Sequence, residues 1–120
     1  MKEWFDLIRE EFDVDINEDV VYAIDQPENV LEEDWGYLLG FISYSILNEK
    51  YFSILSMYVK KEYRSLSKFK VLLDFAERRA REEDCKYVCA GQELAYNEKV
   101  FYNALNKLGF NKITLVRKEL

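Results

Sequence analysis

The chain has 120 residues, 49% of them apolar and 16% aromatic, enough for one domain with a single buried core and too apolar for a disordered tail. Its formal charge of −6 argues against nucleic acid as the main partner, and no apolar run approaches the roughly 20 residues of a membrane span. Histidine is absent, which removes the commonest general base, the serine–histidine–aspartate triads and most zinc sites, so no metal is expected.

In chain order, residues 2–12 read as an amphipathic helix with Trp4, Phe5, Ile8 and Phe12 on one stripe. Charges within residues 1–9 argue against an export signal. Residues 13–26 are acidic and less regular, with a short strand expected at 20–24. Pro27, the single proline, marks a break. Residues 29–33 read as a short strand, Asp34-Trp35-Gly36 as a hairpin turn, and 37–46 as an apolar strand covered on both faces. A second turn at Asn48-Glu49-Lys50 leads into 51–59, rich in β-branched and aromatic residues and read as a buried strand. Residues 60–67 are a polar connection. From 68 to 83 the period becomes helical, with Phe69, Leu72, Leu73, Ala76 and Ala80 on one face. Residues 86–91 are a further strand. A second amphipathic helix opens at Asn97 or Glu98, turns Val100, Phe101, Ala104, Leu105 and Leu108 inward, and stops at Gly109. Residues 111–118 alternate into a last strand. Cys85 and Cys89 lack metal-ligand spacing and, without an export signal, point to a reducing cytoplasm.

Charge is uneven along this order. Residues 1–50 hold 14 acidic and 3 basic side chains, a net of −11, and residues 51–120 carry +5. The positive charge gathers at Lys60, Lys61, Arg64, Lys68 and Lys70, against Glu62 alone. A basic loop running from a strand into a helix N-terminus is an anion site in outline, because the first-turn N–H groups lack partners and the dipole favours negative charge there.

The stretch Met57-Tyr58-Val59, Lys60-Lys61-Glu62-Tyr63, Arg64-Ser65-Leu66-Ser67-Lys68-Phe69 resembles the cofactor-binding motif of the GCN5-related N-acetyltransferases, the GNAT fold. That motif runs from an apolar strand ending in Val through a polar turn to Arg or Gln, x, x, Gly, x, Gly or Ala, then a helix. Val59, Tyr63 and Arg64 match it, and Ser67 and Phe69 stand in the two small-residue positions. Gly36-Tyr37-Leu38-Leu39-Gly40-Phe41 is similar to the family's second hairpin, and Asn97 through Lys107-Leu108-Gly109-Phe110 to its last helix. The resemblance spans roughly residues 28–119.

It implies one α/β (α+β) domain over residues 1–120: a mixed, mostly antiparallel sheet of about six strands with helices on both faces, splayed between the strands at 51–59 and 86–91. It further implies an acetyl-CoA-dependent N-acetyltransferase acting by direct attack of an amine on the thioester. By matched position, Met57, Tyr58 and Val59 would lie along the pantetheine arm, with Met57 and Val59 offering backbone. Arg64, Ser65, Leu66, Ser67, Lys68 and Phe69 would hold the pyrophosphate, and Asn97 would lie near the arm. The family's usual tyrosine, four residues before the Gly of Leu-Gly-Phe, is replaced by Leu105, so the candidates for the leaving-group acid are Tyr102 and Tyr96. Glu93 is the candidate base. Cys89 reads as a structural thiol. The acidic first half, on the side that usually lines the acceptor, implies a small basic amine or a lysine-bearing protein. No nucleic acid or membrane partner is expected, and a homodimer is left open. Two alternatives stand beside the enzyme: a GNAT-fold binding module that has lost turnover, and an acidic protein-interaction protein.

Overall fold

The computed structural model describes residues 2–24, 26–90, 98–111 and 117–120. Its helices and strands run in the order α1 (Lys2–Phe12), α2 (Glu18–Ile24), β1 (Val30–Glu33), β2 (Gly36–Tyr44), β3 (Lys50–Val59), α3 (Leu66–Glu82), β4 (Tyr87–Ala90) and α4 (Glu98–Lys107). The sheet order is β1-β2-β3-β4. The first two pairings are antiparallel and β3 pairs β4 in parallel. The fold class is therefore the mixed, mostly antiparallel sheet flanked by helices. Among the described residues it has four strands rather than about six. The strand expected at 111–118 falls largely on 112–116, outside the described residues. No helix among the described residues is long and apolar enough to cross a membrane.

The other expected strand, at 20–24, is part of α2 instead. The correction has a local cause. Asn17 Oδ1 accepts the Asp19 N–H at 3.1 Å, which caps a helix start, and Glu18 and Asp19 place negative charge in its first turn. Glu18 is also held by Arg9 of α1 at 2.9 Å. The β-branched valines yield to this N-terminal chemistry, and Val21 is buried against α1.

The sheet has a core on each face. On one face Leu38, Phe52, Ile54, Met57 and Val59 pack against Phe69, Leu72, Leu73, Phe75, Ala76 and Ala80 of α3 and Ala104 and Leu105 of α4. The predicted face of the motif helix is thus the buried one. On the other face Tyr37, Leu39 and Tyr58 pack against Trp4, Phe5 and Ile8 of α1 and Val21 of α2. The inward residues of β3 change parity along the strand, from Phe52 and Ile54 to Met57 and Val59. A β-bulge is the reason: Leu39 faces Ser56 and Gly40 faces Ile54, leaving Leu55 as the extra residue. Among the described residues the parallel ladder to β4 runs from Tyr51 opposite Tyr87 to Ile54 opposite Ala90.

α3 begins two residues earlier than its periodicity suggests, because Ser65 caps it: its side chain accepts the Lys68 N–H at 3.3 Å. Pairs one turn apart follow it, the exposed Lys70–Asp74 at 2.6 Å and the partly buried Arg79–Glu83 at 2.8 Å.

At the bulge the sheet leaves no room for a side chain on Gly40. A Cβ there would overlap the Phe52 ring and come within 2.7 Å of the Ser53 carbonyl oxygen, and Phe52 is fully buried. Gly40→Ala should cost about 1–3 kcal/mol, read as a lower urea midpoint with an unchanged slope. A midpoint equal to wild type would show that the sheet relaxes freely at the bulge.

Candidate functional site

β3 ends at Val59 and the chain turns through Lys60, whose N–H donates to the Trp35 carbonyl oxygen at 2.8 Å. This bond ties the loop to the β1–β2 hairpin. A single 3₁₀ turn at Lys61–Tyr63 comes next, then Arg64, then the cap Ser65. The loop therefore delivers the N-terminus of α3 to the end of the sheet where β3 finishes.

Arg64 is the most heavily bonded side chain of this loop. Its Nε donates to the Val59 carbonyl oxygen at 2.9 Å. Its Nη1 and Nη2 donate to the two carboxylate oxygens of Glu11 at 2.5 and 2.8 Å, a bidentate geometry. The guanidinium carbon lies 5.6 Å from the Phe12 ring centre and 5.4 Å from that of Tyr58. The Arg64 side chain is 16% exposed and that of Glu11 21%, so the pair is largely shielded from water. The Tyr58 hydroxyl donates to Glu11 Oε1 at 2.8 Å. Burial alone would push the Glu11 carboxyl up. The hydrogen bonds from Arg64 and Tyr58 outweigh it and hold the group below the ordinary carboxylate range. Burial, with the Glu11 carboxylate beside it, raises the Tyr58 phenol.

At the helix mouth Phe69 is 4% exposed and packs in the α3 core, so its ring does not obstruct the first turn. Ser65 Oγ lies 3.0 Å from Ser67 Oγ. Helix geometry leaves the N–H groups of Leu66 and Ser67 without intrahelical acceptors, and both residues are exposed. The cations are not equivalent. Lys70 is paired with Asp74, Lys60 Nζ lies 5.6 Å from the Trp4 ring centre, and Lys68 Nζ lies 4.7 Å from that of Trp35. Lys61 is exposed. Met57 and Val59 point their side chains into the α3 core and Tyr58 into the α1 core, so at these three positions a ligand along the strand would meet backbone.

The remaining sequence candidates separate. Tyr102 sits half-buried on α4, shortly before Ala104 and Leu105 enter the core. Glu93, Tyr96 and Asn97 lie outside the described residues. Cys89 is half-buried on β4. No group of three or more potential metal ligands occurs among the described residues. Sequence reasoning missed Glu11. It stands 53 residues from Arg64, and nothing in its local spacing distinguishes it from the other acidic side chains of the first half.

A bulged central strand, a loop carried into a helix N-terminus and a second helix packed beside it define an acetyltransferase-type α/β domain. The chain belongs to the acetyltransferase (GNAT) family, whose sequence model matches residues 1–110. No curated protein sequence matches it. Among solved structures it is similar to a probable acetyltransferase, with 16% identity, a TM-score of 0.69, and 98% of this chain and 86% of that one covered. It is similar also to AAC(6')-Iy in complex with the bisubstrate analogue CoA-S-monomethyl-acetylneamine, at 14% identity and a TM-score of 0.66, covering 99% and 91%. A third is the ribosomal-protein-alanine N-acetyltransferase of Brucella melitensis biovar Abortus 2308, at 12% identity and a TM-score of 0.64, covering 98% and 92%.

The family's co-substrate, acetyl-CoA, fits the residues present on one test. The bulkiest departure from the motif, Phe69, is turned into the core, and the residues that face outward at the mouth are Ser65, Leu66 and Ser67.

The Glu11–Arg64 pair carries a pH signature. The Glu11 pKa is lowered by folding, so its ionised form adds stability above the ordinary value of 4.5 and loses it as pH falls through the folded value. Arg64→Leu should cost about 2 kcal/mol near pH 7, and the gap to wild type in urea unfolding should narrow at an acid pH below the lowered Glu11 value, where Glu11 is protonated in both. An equal gap at both pH values would mean that Arg64 stabilises by packing alone.

Proposed function

We propose that the protein is an acetyl-CoA-dependent N-acetyltransferase whose acceptor is a primary amine, either a small basic amine or a lysine or N-terminus of a protein. One observation carries the reading. The helix mouth that succeeds the motif strand is clear of the Phe69 ring and presents first-turn N–H groups, two serine hydroxyls and the cations Lys61 and Lys68. A pyrophosphate held there would contact Ser65, Leu66, Ser67 and Lys68, the Phe69 N–H being taken by the Ser65 carbonyl oxygen, with Arg64 acting on the loop behind them. The arm would run along Met57, Tyr58 and Val59 toward Asn97.

When bound, acetyl-CoA would supply an acetyl thioester open to attack by an amine. The chain's own groups then have three tasks. The acceptor must be held close and neutral, with Glu93 as the candidate to take its proton. The developing oxyanion needs an N–H donor. The leaving thiolate takes a proton, with Tyr102 or Tyr96 as donor, or water in their place. The outer surface of α1 and the segment after it carry exposed Glu3, Asp6, Glu10, Asp13, Asp15 and Asp19. That field favours a cationic acceptor.

A second reading is kept alive by Leu105. It is buried in the α3–α4 core, where the family commonly has a tyrosine, and a chain lacking that acid could retain cofactor binding without turnover.

Melting scans and transfer assays separate the two. Acetyl-CoA at a hundredfold excess over its dissociation constant should raise stability by about 2.7 kcal/mol. Polyamines and lysine peptides should outcompete neutral amines as acceptors at low salt, and the preference should shrink at high salt. Tyr102→Phe should lower the maximal rate if Tyr102 is the acid, and leave it unchanged if Tyr96 or water serves. No melting shift at millimolar cofactor would overturn the acetyl-CoA reading. A shift without transfer to any amine would establish the binding module.

A further inference from the structure

Arg64 occupies the arginine position of the motif, beside the helix mouth, yet its side chain is directed away from that mouth. Its Nε, Nη1 and Nη2 bonds all run backward, to Val59 at the end of β3 and to Glu11 at the end of α1. The bond to the Val59 carbonyl closes the loop on itself across five residues. The rings of Phe12 and Tyr58 both lie against the guanidinium, and Tyr58 donates to the same carboxylate. α1, β3 and the loop thus meet on the Glu11 carboxylate, which accepts three hydrogen bonds from two partners. Ser65, the very next residue, caps α3. Whatever fixes Arg64 fixes the direction in which the N–H groups of Leu66 and Ser67 leave the helix.

We propose that Glu11 is a positioning residue of the cofactor loop: acting through Arg64, it holds residues 59–65 in the conformation that presents the α3 N-terminus to a phosphate. This deepens the acetyl-CoA reading and rests on it. Glu11 touches no substrate in this role. It neutralises a loop cation that is shielded from water, and leaves the attraction of the anion to the exposed cations.

The rival arrangement has Arg64 as a direct phosphate ligand, with Glu11 a competitor that an incoming anion displaces. The two make opposite predictions for the same variant. If Glu11 competes, Glu11→Ala frees the guanidinium and binding of coenzyme A tightens. If Glu11 positions, Glu11→Ala loosens the loop and binding weakens.

The test measures the dissociation constant of coenzyme A by calorimetry on the full chain, alongside the melting temperature without ligand. Glu11→Ala should weaken binding about tenfold or more. Glu11→Gln, which keeps the shape and one oxygen acceptor, should recover part of the loss, and the Glu11→Ala/Arg64→Ala double variant should be no weaker than either single one. A lower melting temperature with an unchanged dissociation constant would reduce Glu11 to a structural residue and overturn the proposal, as would tighter binding. A second readout needs no cofactor. Amide exchange of Arg64 to Ser67 should be faster in Glu11→Gln than in wild type, while that of the α3 interior around Leu72 and Leu73 stays the same. Equal exchange at both places would overturn the positioning role even where Glu11→Ala fails to fold. Faster exchange confined to the loop, in a protein that binds no coenzyme A, would uphold the positioning and overturn the cofactor reading instead.

Discussion

The single extra residue at Leu55 organises this molecule. β3 joins the antiparallel part of the sheet to its parallel edge and contributes to the core on each face. A regular strand would keep its inward residues at even spacing throughout. The bulge breaks that rule once, so Phe52 and Ile54 share the α3 core with Met57 and Val59, while Tyr58 joins the α1 core. A one-residue slip reverses every side chain beyond it, and here the reversal is built in at one place. Two other features fall at the same point. Gly40 lies opposite, where the Phe52 ring would overlap a Cβ. Ser56 and the buried Tyr37 hydroxyl share a hydrogen bond of 2.5 Å, which satisfies a phenol whose burial raises its pKa. The strand that leads to the site therefore keeps apolar residues in both cores because of one irregularity in its ladder to β2.

The loop beyond the strand is held by polar rather than apolar contacts. It exposes Lys61, Glu62 and Tyr63, and a segment of that composition has little to bury. Its order comes from the Lys60–Trp35 backbone bond and from Arg64. Bringing a carboxylate and a guanidinium out of water is costly. Here the cost is offset by bidentate geometry, a third donor from Tyr58 and two aromatic rings on the guanidinium. A pair so placed defines one arrangement of the loop more than it adds to overall stability.

How much of this the sequence reveals depends on range. α1 is legible to its ends, because its Trp4–Phe5–Ile8 stripe needs only local periodicity. The buried face of α3 is legible for the same reason, and Phe69 goes where its helical position sends it. The hairpin at Asp34 and Trp35 is set by turn chemistry. Local pattern fails at 20–24, where an Asn17 cap and acidic first turn outweigh β-branched content. It does not register the bulge, since apolar residues on both faces of β3 leave no alternation to be interrupted. It places Arg64 in a motif and gives no sign of its pairing with a carboxylate 53 residues earlier. Pairings of that range are fixed by tertiary structure, and local pattern carries no record of them.

The absence of glycines from the motif bears on the same division of labour. A glycine at the helix mouth serves by having no side chain in the way and by allowing close approach of an anion. In this chain the first benefit is recovered by direction. Phe69 falls three, four and seven residues before Leu72, Leu73 and Ala76, so the helix that places it at the mouth also turns its ring into the core. Ser65 gives its oxygen to the Lys68 N–H, which removes one donor from the mouth and leaves those of Leu66 and Ser67. The second benefit, close approach, is reduced by two hydroxymethyl groups, although each carries a hydroxyl that can donate. A loop of this kind depends more on being held in one orientation than a glycine-rich loop does, because fewer backbone donors remain and their directions must be right. The bonds from Arg64 to Val59 and Glu11 are placed to hold the loop in this way, as the proposed positioning role of Glu11 requires.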